Sequence, residues 1–177
     1  MSKAIFMDLD GTLIETKSGK DFPVDVGDWK FKEYVLDSLI ELYEQEFHRL
    51  YIITNQGGIP KYTNPGVFNT KLHHIIDEIY TYFNLYYKNR HSFMVDYYVA
   101  IGMKHPGRKP NKLFFDMASQ ASGYLDKETS IMIGDAGGRK GDHSDSDKMF
   151  AKNAGIEFIH IDNLLAKVKE KYENKTD

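Results

Sequence analysis

Asp8 and Asp10 stand one residue apart where a short apolar run, Ala4-Ile5-Phe6-Met7, gives way to Leu9, Gly11 and Thr12. Alternate side chains of an extended chain point the same way, so a strand ending near Asp8 lets both carboxylates lean over its carboxyl end. Two carboxylates that close repel unless positive charge sits between them. A hard divalent cation such as Mg²⁺, which takes oxygen ligands, is the natural partner. Gly11 lets the backbone approach a ligand closely. The same residues also read as a strand followed by an Asp-Gly turn, and this stretch alone leaves both readings open.

Three residues further along supply complementary chemistry. Thr54 offers a hydroxyl and is followed by Asn55-Gln56-Gly57-Gly58, whose glycines free backbone N–H groups. Lys109 offers a fixed positive charge, and Asp135, after Gly134, a further carboxylate. A hydroxyl, amides, an ammonium and a metal are what a transferring phosphoryl group requires, because its oxygens carry the charge. Each has a bland alternative when taken singly: Thr54 and Asp135 as turn or helix caps, Lys109 as a solvated loop residue. Brought together, they make a phosphoryl-transfer site.

The elements that must bring them together can be read from hydrophobic periodicity. Residues 4–7, 50–53, 94–101, 130–133 and 157–161 read as strands. Phe31, Val35, Leu39, Leu42 and Phe47 mark a helix over 31–47, and Leu72, Ile75, Ile76, Ile79, Phe83 and Tyr86 another over 67–87. A third helix ends near Ala121, a short one leads to Asn153, and a last one frays into the charged tail. Pro60 and Pro65 are expected to keep the stretch before the second helix irregular, and Ser18-Gly19 suggests a hairpin or flap within about 13–30. Strands alternating with helices predict an α/β fold, a doubly wound, mostly parallel five-stranded sheet of Rossmann-like type. Asp8, Thr54, the Lys109 loop and Asp135 all follow carboxyl ends of strands. They therefore converge on the sheet edge where ligands bind in open α/β folds.

Composition narrows the class. The chain has 177 residues, which predicts one domain with a substantial core. There is no Cys, which excludes disulfides, cysteine nucleophiles and thiolate metal sites and fits a reducing compartment. No apolar run is long enough to span a membrane, and Asp8 and Asp10 interrupt the early apolar run, so no signal peptide is expected. The expected location is intracellular, cytoplasmic or nuclear. A net charge of −3 gives no global attraction to nucleic acid, so any such binding must come from local basic patches.

The order and spacing of Asp8-Leu9-Asp10-Gly11-Thr12, Thr54-Asn55, Lys109 and Gly134-Asp135 resembles the haloacid dehalogenase-like phosphotransferase superfamily. The resemblance implies that Asp8 is a nucleophile forming an aspartyl-phosphate. Asp10 would be the acid that protonates the leaving oxygen and then the base that activates water. Asp8, the backbone carbonyl of Asp10 and Asp135 would hold Mg²⁺, while Thr54 and Lys109 would bind phosphoryl oxygens. Asp147 stands where the superfamily usually has a second acidic residue, separated from Asp135 by an insertion over 137–146; it could orient Lys109 or a metal-bound water. Ser144-x-x-Asp147 also reads as a capping-box variant. Asp142, His143 and Asp145 could form a further metal cluster or cap turns.

A closer likeness lies in Thr16-Lys17-Ser18-Gly19-Lys20, Phe22-Pro23, Asp28-Trp29, Thr54-Asn55-Gln56-x-Gly58-Ile59, Arg108-Lys109-Pro110 and Gly134-Asp135-Ala136-x-Gly138-Arg139. These resemble the phosphatase domain of polynucleotide kinase 3′-phosphatases. The resemblance implies a substrate class of DNA or RNA 3′-phosphate ends, with Gly11, Thr12, Lys17, Lys20, Asn55, Gln56, Arg108 and Arg139 as substrate contacts. The inserts between motifs are short, so a small flap and no large cap domain are expected, which suits a polymer end. No Gly-x-x-x-x-Gly-Lys-Ser/Thr loop occurs, so no 5′-kinase domain is expected in this chain. A small-molecule phosphatase of the sugar-bisphosphate or histidinol-phosphate type and a non-catalytic nucleic-acid-end binding module are the alternatives.

Overall fold

The computed structural model describes residues 2–20, 23 and 25–174. Asp21, Phe22 and Val24 of the flap, and with them the Phe22-Pro23 motif, lie outside the described residues. Strands β1 (Ile5–Met7), β4 (Arg49–Gln56), β5 (Met94–Ile101), β6 (Ile131–Gly134) and β7 (Glu157–His160) form one sheet in the order β5-β4-β1-β6-β7. Every pairing in it is parallel. The short central strand β1 is flanked on both sides, with Ile5 opposite Leu50 and Ile131. This is the doubly wound α/β architecture expected from the alternation of strands and helices.

Strand periodicity distributes the core between two faces. Ile5, Met7, Leu50, Ile52, Ile131 and Ile133 face helices α1 (Val35–Glu44), α2 (Pro65–Tyr87) and α5 (Ile161–Glu173). Phe6, Tyr51, Ile53 and Met132 face α3 (Leu113–Ala121) and α4 (Ser146–Ala154). Phe6 lies 5.2 Å from Tyr51 and from Phe115, centroid to centroid. Burial on both faces explains why these strands read as continuous apolar runs. No helix among the described residues is long and apolar enough to cross a membrane.

Several boundaries differ from the sequence expectation. Phe31 is not the first turn of a helix; with Lys30 it forms β3 (Lys30–Phe31), antiparallel to β2 (Ile14–Glu15). That hairpin is the base of the flap, and α1 begins only after Tyr34, which has φ 63°. Pro65 starts α2 instead of breaking it. Its missing N–H falls where a helix has no acceptor to offer, and Asn64 Oδ1 caps the turn by accepting from Gly66 N at 2.7 Å. Strand β4 continues to Gln56, so Thr54, Asn55 and Gln56 lie on the strand, where β5 pairs with them. Ile161 begins α5 rather than ending β7.

Candidate active site

The carboxyl edge of the sheet gathers residues far apart in sequence. Asp8 follows β1, and its N–H donates to Ile133 O of β6 at 3.0 Å. Asp135 follows β6. Lys109 lies in the loop after β5, and Asp147 in the first turn of α4. The Lys109 ammonium donates to Asp8 Oδ1 and sits 2.7 Å from Asp147 Oδ1. All three residues of that chain of contacts are buried. Asp8, Asp135 and Asp147 each offer an oxygen, and these oxygens lie within 4.8 Å of one another.

Close approach at two glycines makes this packing possible. A Cβ on Gly134 would collide with the Asp147 carboxylate, and one on Gly11, which has φ +82°, with the Asp135 carboxylate. Asp147 Oδ2 accepts from Ala136 N at 3.1 Å. The capping-box reading of Ser144-x-x-Asp147 therefore fails. Helix α4 begins at Ser146 with Asp145 at the cap and no side-chain cap bond, and the Asp147 carboxylate turns inward to Lys109. Asp142 takes the turn-closing role that the sequence also allowed. Its Oδ2 accepts from Gly137 N at 3.0 Å and Arg139 N at 2.8 Å, which closes a turn.

The charge balance follows from this crowding. Burial pushes Asp8 well above the ordinary carboxylate range; Lys109 opposes that shift, while Asp147 and Asp135 add to it. Burial and the neighbouring Asp147 also raise Asp135. Burial would lower Lys109, but Asp8 and Asp147 outweigh it and hold the ammonium charged. One ammonium among three carboxylates leaves the pocket short of positive charge. Asp135 Oδ1 is buried and has no protein donor. An all-oxygen donor set with an unpartnered oxygen fits a hard cation of the Mg²⁺ type.

Asp10 stands apart from this cluster. Its Oδ2 accepts from Gln56 Nε2 at 2.7 Å, and its Oδ1 lies 3.6 Å from Lys71 Nζ. Gln56 Nε2 also donates to Thr54 Oγ1 at 2.8 Å. Gln56, expected as a substrate contact, thus links Asp10 to Thr54. Asn55, also expected to face substrate, is occupied otherwise: it accepts from Lys109 N at 2.8 Å and donates to Lys109 O at 3.1 Å. Its effect is to fix the backbone that carries the ammonium. Thr12 is fully buried, so its hydroxyl is not a surface contact.

Arg108 is half-buried and packs against Gly57, while Lys17, Lys20 and Arg139 are exposed. Sequence reasoning missed two lysines here: Lys32, whose Nζ donates to Gly11 O at 3.0 Å, and Lys71. The only sequence signal for Lys71 is a charge within an apolar helical stripe.

Comparison with known proteins adds an independent line. The family model described as polynucleotide kinase 3 phosphatase matches residues 3–164. The bifunctional polynucleotide phosphatase/kinase of Schizosaccharomyces pombe is 35% identical over 159 residues, which cover 88% of this chain and 36% of that protein. The polynucleotide 3′-phosphatase ZDP of Arabidopsis thaliana is 27% identical over 169 residues, covering 89% of this chain and 23% of ZDP. The chain thus spans about a third of the length of the first relative and about a quarter of ZDP. An uncharacterized 20.8 kDa protein of Autographa californica nuclear polyhedrosis virus is 33% identical and covered over 82% of its length. Among solved structures, the D,D-heptose 1,7-bisphosphate phosphatase of B. bronchiseptica, complexed with magnesium and phosphate, superposes with a TM-score of 0.56 at 16% identity. It covers 97% of this chain and 99% of its own. That likeness is one of fold.

Proposed function

The chain belongs to the polynucleotide kinase 3 phosphatase family, and from that premise we propose that it is a Mg²⁺-dependent phosphatase acting on the 3′-phosphate ends of DNA or RNA. The observation that carries this reading is the buried Asp8–Lys109–Asp147 contact beside Asp135. In it, a nucleophile, a fixed ammonium and a cation-ready carboxylate meet at one sheet edge.

In this reading an Asp8 carboxylate oxygen attacks phosphorus, and the bond from phosphorus to the 3′-oxygen breaks. Asp10 delivers a proton to the departing oxygen, which leaves as a 3′-hydroxyl. The product on the enzyme is an aspartyl-phosphate at Asp8. Asp10, now ionised, takes a proton from water as that water attacks phosphorus, which releases inorganic phosphate and restores Asp8. Thr54 and Lys109 hold the phosphoryl oxygens through both steps. Asp8 and Asp135, with Asp147 behind them, would hold Mg²⁺, which when bound neutralises charge on the phosphoryl group. Lys17 and Lys20 in the flap and Arg139 in the loop after β6, all exposed, would hold backbone phosphates of the strand.

The test is conversion of a 3′-phosphorylated oligonucleotide to its 3′-hydroxyl form. Wild-type protein with Mg²⁺ should perform it, and EDTA should stop it. Asp8→Asn should lose turnover by at least about 10³-fold while keeping its circular dichroism spectrum. Turnover by Asp8→Asn or in EDTA near the wild-type rate contradicts the reading.

A further inference from the structure

Helix α2 turns one stripe inward, and its buried residues are Phe68, Lys71, Leu72, Ile75, Ile79 and Phe83. Spacing of three and four residues marks a core-facing stripe. Lys71 is the one charged member. Its side chain is 7% exposed, and its ammonium lies 3.6 Å from Asp10 Oδ1, beyond hydrogen-bond length. The Phe68 ring, 5.9 Å from Nζ, adds a weak cation–π contact. Asp10, the partner anion, has a side chain 49% exposed, so solvent weakens its hold on the amine. Burying an ammonium against so little return costs stability. Local violations of a folding pattern concentrate where function demands them.

We infer that Lys71 is a positioning residue for the reaction, holding the Asp10 carboxylate at the rim of the pocket where a leaving oxygen would sit. The inference rests on the reading of Asp10 as proton donor and acceptor. Two residues address its two oxygens: Gln56 binds Oδ2, and Lys71 attracts Oδ1. The second attraction has a steric and an electrostatic consequence. It keeps Asp10 out of the Asp8–Asp135–Asp147 cluster, so Asp10 does not compete for Lys109 or for a cation. Through Gln56, the same clamp is registered to Thr54 Oγ1, which ties the proton-transfer group to the phosphoryl-binding group.

The experiment compares wild type, Lys71→Met, Lys71→Arg and Asp10→Asn in the full chain. Single-turnover formation of 3′-hydroxyl from a 3′-phosphorylated oligonucleotide is measured beside burst release of nitrophenol from p-nitrophenyl phosphate. Nitrophenolate departs without needing a proton. Lys71→Met should slow the oligonucleotide step by about 10- to 100-fold and the nitrophenol burst by less than about threefold. Its Tm should match or exceed that of wild type, and Lys71→Arg should recover most of the oligonucleotide rate. Equal losses on both substrates, a wild-type oligonucleotide rate in Lys71→Met, or a Tm lowered by more than about 5 °C overturns the inference. Asp10→Asn separates the two failures. If it is slow and Lys71→Met is not, only the role of Lys71 falls; if Asp10→Asn itself keeps the oligonucleotide rate, the reading of Asp10 falls with it.

Discussion

Asp8 and Asp147 share one ammonium with Asp135 close by, and the number of these carboxylates sets how the site responds to protons and cations. Burial raises Asp8 and Asp135 in the folded chain, so above the ordinary carboxylate range the folded state binds more protons than the unfolded one. Stability without metal should then fall as pH rises through that raised range. Protons and a divalent cation compete for the same oxygens. The rise in Tm on adding Mg²⁺ should therefore be larger near pH 8 than near pH 5, as thermal denaturation at a fixed Mg²⁺ excess can check. A Tm indifferent to Mg²⁺ across that range would remove the cation from the cluster. The individual residues were unequally legible in sequence. Asp8 and Asp135 end apolar runs and stand out through their joint order with Thr54 and Lys109, whereas Asp147 reads equally as a cap, because only tertiary packing over Gly134 turns its carboxylate inward.

At the scale of elements, the flap carries its own support. Asp28 is buried and accepts from Ser18 N and Ser18 Oγ, each at 2.7 Å. It holds the Lys17–Lys20 tip to the base formed by β2 and β3. Asp28→Ala should raise KM for an oligonucleotide several-fold, since each charge-assisted bond is worth roughly 1.5–3 kcal/mol. It should leave hydrolysis of a small aryl phosphate nearly unchanged, and an equal effect on both substrates would place Asp28 in general stability instead. The strands were readable because β1, β4 and β6 are buried on both faces. Strand ends were not, since pairing of Asn55 and Gln56 with Ala100 and Ile101 extends β4 beyond its apolar run. Phe31 misled for a related reason: an apolar residue in register with a helical stripe can equally pair in a hairpin, and its partner Ile14 decides.

For the molecule as a whole, a small hairpin follows the central strand at the carboxyl edge of the sheet, and no segment among the described residues forms a large cap. Lys17 and Lys20 in the flap, and Lys104, Arg139 and Lys140 in the loops after β5 and β6, are exposed, although the chain is net acidic at −3. Such local charge engages a polyanion more than a small monoester, and its contribution weakens with salt. The α/β architecture followed from alternation alone, whereas the substrate rests on family membership and on this rim, not on the carboxylates. The direct measurement is kcat/KM for a 3′-phosphorylated oligonucleotide against that for p-nitrophenyl phosphate, in Mg²⁺ at moderate salt. The account predicts a preference for the oligonucleotide of at least about 10²-fold, equivalent to roughly 2.7 kcal/mol of added transition-state binding. Equal values on the two substrates would contradict it.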